Sequence, residues 1–249
     1  MTTLPVIKNV FCLVREYFSN QSRLILPLFA IFILPSFIRP IISRLLLSSH
    51  SPIRIFAGIV LSIIISVFYP LGLLSISLCT YAWLKKKRST LRAILRSLNS
   101  IAGYAISTYI GQALIVAVPI GLLMILLFAF HASSANRNAI LSLFSNAIYS
   151  FLFFFTWPLL IIKRIFGMRN VIACLKLSKD NYLVVLSIIS APVLLLLILE
   201  VLTMRFIPLQ RDIIVSLSYL AFFPLAAAAM CAYRVIYSED FDMPIGVES

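Results

Sequence analysis

Histidine occurs twice in this chain, at His50 and His131, and carboxylates number only eight. General acid–base chemistry draws on these residue types, so it has few players here. A metal or a hydrolytic centre would need His50, His131 and Asp212 to converge from separate segments, and their spacing follows no zinc-ligand pattern. No HExxH helix, paired carboxylates, GxSxG elbow or Walker A loop is present. Four cysteines (Cys12, Cys79, Cys174, Cys231) stand far apart without a CxxC pair. All four fall near the predicted cytoplasmic side, where thiols stay reduced, and this argues against disulfides and a thiolate metal site. Cys12 and Cys174 lie in membrane-surface segments open to acylation, with small-residue packing as the simpler reading. No catalytic residue, metal or cofactor is expected, and the chain does not read as an enzyme.

Polar groups inside apolar stretches are the remaining places for chemistry. Glu200 is the one carboxylate within a predicted span, near its outer end, with Arg39 or Arg44 as partner at the same depth. It reads either as half of a structural ion pair or as a site for a proton, cation or substrate amine. Gln112, Asn146 and Tyr149 are further polar groups at membrane depth, which hydrogen bonds between helices would satisfy.

The elements that position these groups follow from composition. Hydrophobic residues make up 62% of the chain and charged ones 12%, whereas a soluble domain has roughly 45–50% and about 25%. The excess apolar surface points to a bilayer as solvent. Apolar stretches run from about Leu24 to Leu47, Ile55 to Trp83, Ile101 to Phe130, Ala139 to Ile162, Tyr182 to Leu202 and Ile213 to Tyr237. Six transmembrane helices in one all-α membrane domain, residues 1–249, are therefore expected. The second and third stretches exceed the bilayer thickness, so tilted or kinked helices are expected, with Pro70, Pro119, Pro158 and Pro224 as kink sites. The first apolar run is followed by Arg39 and Pro40 rather than a cleavage site, so it reads as an anchor.

Charge orients the spans. Fifteen of the 21 basic residues fall on one side: Lys8, Arg15 and Arg23; Lys85, Lys86, Lys87, Arg88, Arg92 and Arg96; Lys163, Arg164, Arg169, Lys176 and Lys179; and Arg234. The positive-inside rule puts both termini in the cytoplasm. This distribution also sets aside nucleic acid as the reason for the net charge of +13, because no basic face is interleaved with stacking aromatics. The tail, with Glu239, Asp240 and Asp242, reads as a solvated, disordered end.

Three cytoplasmic segments carry an apolar stripe opposed by basic residues. The first has Ile7, Val10, Phe11, Val14, Tyr17 and Phe18, with Lys8 and Arg15 away from the stripe. The second has Leu91, Ile94, Leu95 and Leu98 opposite Arg92 and Arg96. The third has Met168, Val171, Ile172 and Leu175 opposite Arg169, Lys176 and Lys179. Such helices lie in the interface and attract anionic phospholipid headgroups, or else pack on the bundle as connectors. Each precedes a hairpin of two spans, which suggests repeats over 1–86, 87–165 and 166–249. A polar pair opens each hairpin (Asn20-Gln21, Asn99-Ser100, Asp180-Asn181). The second helix of each hairpin carries aromatic-Pro-Leu: Tyr69-Pro70-Leu71, Trp157-Pro158-Leu159 and Phe223-Pro224-Leu225. A true triplication would set three proline helices around a pseudo-threefold axis.

The run Cys-Leu-Lys-Leu-Ser-Lys-Asp-Asn at 174–181, leading into Tyr182-Leu183-Val184-Val185-Leu186, resembles a motif of bacterial membrane proteins. These are the membrane-domain family associated with glycerophosphodiester phosphodiesterases and the related YciC-like inner-membrane proteins. Lys179 and Asn181 match that pattern, while Cys174, Leu175 and Asp180 replace its serine, aromatic and glycine. The resemblance implies a six-span bacterial inner-membrane protein. It carries no catalysis over, because the phosphodiesterase barrel has no counterpart here.

Three function classes follow from these readings. The first is a non-enzymatic envelope protein engaging lipid headgroups, or a membrane-protein partner, at its cytoplasmic face through Lys85, Lys86, Lys87, Arg88, Arg92, Arg96, Lys163, Arg164, Arg169 and Lys176. The second is a small-solute or lipid transporter, possible as a homo-oligomer, built around Glu200. The third, a membrane enzyme, would need His50, His131 and Asp212 to meet.

Overall fold

The computed structural model describes residues 3–32, 52–87, 89–129, 147–203 and 224–242. Among them the chain is all-α, with no strand. We label the helices α1 (Thr3–Phe32), α2 (Pro52–Leu84), α3 (Leu91–Ala129), α4 (Thr156–Ile161), α5 (Gly167–Asp180), α6 (Tyr182–Thr203), α7 (Pro224–Ile236) and α8 (Ser238–Asp242).

Helix α2 forms the centre. From Leu73 to Leu84 nearly every side chain is buried, whichever way it points. A helix apolar all round needs partners on every side, and α2 has them in α1, α3, α4 and α7. Its polar side chains are satisfied locally: Ser75, Ser77 and Thr80 donate to the carbonyls of Gly72, Leu73 and Ile76 at 2.7, 2.9 and 2.8 Å. Helix α7 approaches through the wholly buried run Ala226 to Ala229. These short side chains bring backbones close, and Ser77 Oγ lies 3.4 Å from the Ala226 carbonyl.

Among the described residues two helices are long and apolar enough to cross a membrane, and they differ in surroundings. In α2 the apolar window Val67–Leu84 is 67% buried, but in α3 the window Leu91–Phe128 is only 11% buried. Helix α3 thus presents Ile110, Leu114, Val118, Leu122 and Ile125 outward.

Several expectations need correction. Neither Asn20-Gln21 nor Asn99-Ser100 breaks its helix: α1 and α3 run straight through. Asn20, Asn99 and Ser100 are exposed, so no burial cost forces an interruption. The third pair does mark a joint. Asn181 ends α5 with φ −119° and ψ 29°, and its side chain donates to the Leu177 carbonyl at 2.9 Å, the local competition that makes Asn a helix terminator. The fourth stretch is also interrupted, since helix over 147–152 gives way to a turn at 153–155 before α4. Pro158 is the third residue of α4, a first-turn position where its missing N–H is no loss. Pro70 and Pro119 lie within continuous helices, and Pro224 is the first described residue of α7. The tail corrects a further expectation, because it is helical to Asp242 and buries Phe241. That ring packs on Tyr81 at 5.4 Å, with Lys85 Nζ at 4.9 Å and the Arg234 guanidinium at 5.8 Å from its centroid.

Candidate functional site

Two polar assemblies stand out among the described residues: a buried chain around Gln112 and a basic surface where α2 ends, α3 begins and α4 leads into α5. Gln112 sits on the buried face of α3, four residues after Thr108 and four before Val116, all three buried. Tyr149 donates to Gln112 Oε1 at 2.6 Å, and Gln112 Nε2 donates to Thr156 Oγ1 at 2.5 Å. Thr156 Oγ1 in turn lies 3.6 Å from Cys174 Sγ. The donors all point one way, from the 147–152 helix through α3 and α4 to α5, so each bond polarises the next. Burial pushes the Cys174 thiol up to about 12, although hydrogen bonds from its neighbours act against it. It is therefore a neutral packing group rather than a nucleophile.

Asn170 anchors the same region. Its Nδ2 donates to the Ile165 carbonyl at 2.9 Å and the Thr156 carbonyl at 3.2 Å. Both neighbours are acceptors, so the amide cannot turn over, and Oδ1 is left buried without a partner. Thr108 Oγ1 accepts the Gly167 N–H at 2.9 Å and donates to the Tyr104 carbonyl at 2.8 Å. Gly167 has φ +57°, a conformation that suits glycine as α5 begins. Tyr104 stacks on Phe166 with centroids 4.3 Å apart.

The basic surface collects most of the predicted headgroup residues. Lys86, Lys87, Arg92, Arg96, Arg164, Arg169 and Lys176 are exposed, while Lys85 and Lys163 are half-buried; Arg88 lies outside the described residues. Helix α5 is turned differently from its predicted stripe. It buries Asn170, Val171, Cys174 and Ser178, leaving Met168 at 56% and Ile172 at 62% exposed. The hydrogen bonds of Asn170 and Ser178 into α4 and the 147–152 helix explain the rotation. On α1 and α3 the stripes face the bundle as connectors do, with Val10, Tyr17, Ile94 and Leu98 buried.

Of the intramembrane candidates, Gln112 and Tyr149 are the two that the structure builds into a network. Glu200 lies in α6 with its side chain outside the described part, and Arg39, Asn146, His50, His131 and Asp212 lie outside the described residues. Among the described residues no group of three or more His, Cys, Asp or Glu could hold a metal. Sequence reasoning missed Thr156, Asn170 and Thr108. Thr156 had a signal, as the one polar side chain between Phe151 and Ile162. No family model, curated protein or solved structure matches this chain, so its functional reading rests on its own residues and geometry.

Proposed function

We propose that the protein is a non-enzymatic integral membrane protein with six spans and both termini cytoplasmic, whose basic face engages anionic phospholipid headgroups. The resemblance at 174–181 favours a bacterial inner membrane. The outward apolar surface of α3 supports insertion, since 39 residues span about 58 Å at 1.5 Å each. Helices α6 and α7 supply shorter apolar stretches.

The observation that carries the headgroup reading is the orientation of α5. It turns polar residues inward and leaves Met168 and Ile172 on the same outer surface as Arg169, Lys176 and Lys179. Apolar side chains that enter the acyl boundary, flanked by cations that reach phosphates, make an interfacial helix.

Spin labels at Met168→Cys and Ile172→Cys test this, in a Cys12→Ser background that removes the exposed native thiol. In phosphatidylcholine vesicles containing phosphatidylglycerol, both labels are expected at headgroup depth, shielded from an aqueous relaxation agent. Labels as water-accessible as one placed at Lys179 would rule the reading out.

A further inference from the structure

A cavity of about 290 Å³ opens where α2 ends, α3 begins and α4 ends. Its apolar wall includes Leu78, Ile94, Ile101 and Ile161, all buried. Its polar lining is Lys87 and Arg164, both exposed, with Ser89, Ser97, Ser100 and the phenol-bearing Tyr81. Among the described residues no carboxylate lines it. The cavity therefore offers two cations and a group of hydroxyls beside an apolar wall, at the end of the molecule read as cytoplasmic.

Backbone conformation adds an independent observation. The non-glycine residues with positive φ among those described are Lys86, at 53°, and Arg164, at 54°. One adjoins the lining residue Lys87 and the other is itself a lining residue. Glycine fits such a backbone with less strain, and strained positions cluster where a side chain is needed for recognition.

We propose that this cavity binds the phosphate of an anionic phospholipid headgroup, with Lys87 and Arg164 as its cations and Ser89 and Ser97 as hydroxyl donors, Ser100 being committed to the Ser97 carbonyl at 2.8 Å. This deepens the lipid-facing reading above and rests on it. Two cations without a lining carboxylate favour a headgroup of net negative charge over a zwitterionic one, whose ammonium they repel. The volume suits a headgroup and not a whole diacyl lipid, so the chains would stay in the bilayer.

The test uses the full-length protein in neutral detergent, with bound lipid counted by native mass spectrometry. Dioleoylphosphatidylglycerol, dioleoylphosphatidylcholine and inorganic phosphate are the probes. Wild type is expected to retain the phosphatidylglycerol selectively, and Lys87→Gln combined with Arg164→Gly to weaken it about tenfold or more, as loss of charge-assisted contacts predicts. Arg164→Gly removes the guanidinium while suiting the backbone, and Lys87→Gln alone lies outside any helix, so loss of fold does not obscure the result. Unchanged binding in the double variant overturns the cavity. If Arg169→Gln/Lys176→Gln/Lys179→Gln then weakens binding instead, the α5 reading survives without it. Equal retention of both lipids by wild type overturns both. Inorganic phosphate competing as strongly as the lipid would assign the site to a soluble phosphate and overturn the lipid source.

Discussion

Lys86 ends α2 in a way usually reserved for glycine. Its N–H bonds the Trp83 carbonyl at 2.8 Å, the Lys87 N–H bonds the Ala82 carbonyl at 2.9 Å, and Lys86 itself is left-handed, the Schellman arrangement. Lys86→Gly should therefore stabilise the fold by about 1 kcal/mol, the strain relieved being partly offset by glycine's extra chain entropy; denaturing-detergent titration reads this, and a destabilised variant would contradict the assigned backbone. Gln112→Leu should act the other way. It strands the Tyr149 hydroxyl and removes the donor to Thr156, costing about 1–3 kcal/mol, and an unchanged unfolding midpoint would mean that the chain of bonds contributes nothing. Cys174 adds a pH dependence. Its thiol is pushed up to about 12 from an ordinary 9.0, so above pH 9 the unfolded chain loses a proton that the folded one keeps. Stability from this group is complete below pH 9 and is lost as pH rises towards 12. Thermal unfolding of Cys174→Ala should thus decline less steeply than wild type between those limits, and parallel curves would exclude the effect. Gln112 was legible as an amide in an apolar run. Asn170 was not, because its partners are carbonyls of a broken helix that periodicity does not reveal.

Helix boundaries show what the periodic pattern can and cannot carry. The second, third and fifth apolar stretches were readable as helices, and the stripes of α1 and α3 largely as buried faces, since burial imposes a 3.6-residue rhythm. The joints were not, because a polar pair breaks a helix only when a side chain competes for the backbone. Asn20 and Asn99 face outward and let the helix pass, whereas Asn181 bonds Leu177 and also donates to Tyr237 Oη at 2.8 Å. That last bond ties the α5–α6 joint to the end of α7. A double-mutant cycle of Asn181→Ala with Tyr237→Phe should give a coupling of about 0.5–1.5 kcal/mol, the usual worth of one such bond. Additive effects would show that the joint is set by the backbone alone. The rotation of α5 was hidden for a related reason: its deciding contacts are Asn170 and Ser178, and an apolar moment ignores both.

At the scale of the whole molecule, the three aromatic-Pro-Leu motifs come together. Tyr69, Trp157 and Leu225 line one small cavity of about 50 Å³ with Leu73, Tyr149 and Ala226. One residue from each motif thus lies at this common point. The number of spans can then be separated by topology. Helices α2 and α3 are joined by a segment holding Lys85, Lys86, Lys87 and Arg88, which the positive-inside rule keeps cytoplasmic. If only those two helices crossed, everything before α2 and after α3 would lie outside, including the basic run Lys163 to Lys179 and the C-terminus. If six cross, that run returns to the cytoplasm, residue 209 lies outside, and the C-terminus comes back in. Alkaline phosphatase, active only after export, should therefore be active when fused after Leu209 and inactive when fused after Ser249. The reverse at the C-terminus would reduce the bundle to two spans and move α5, with its cations, to the outer face.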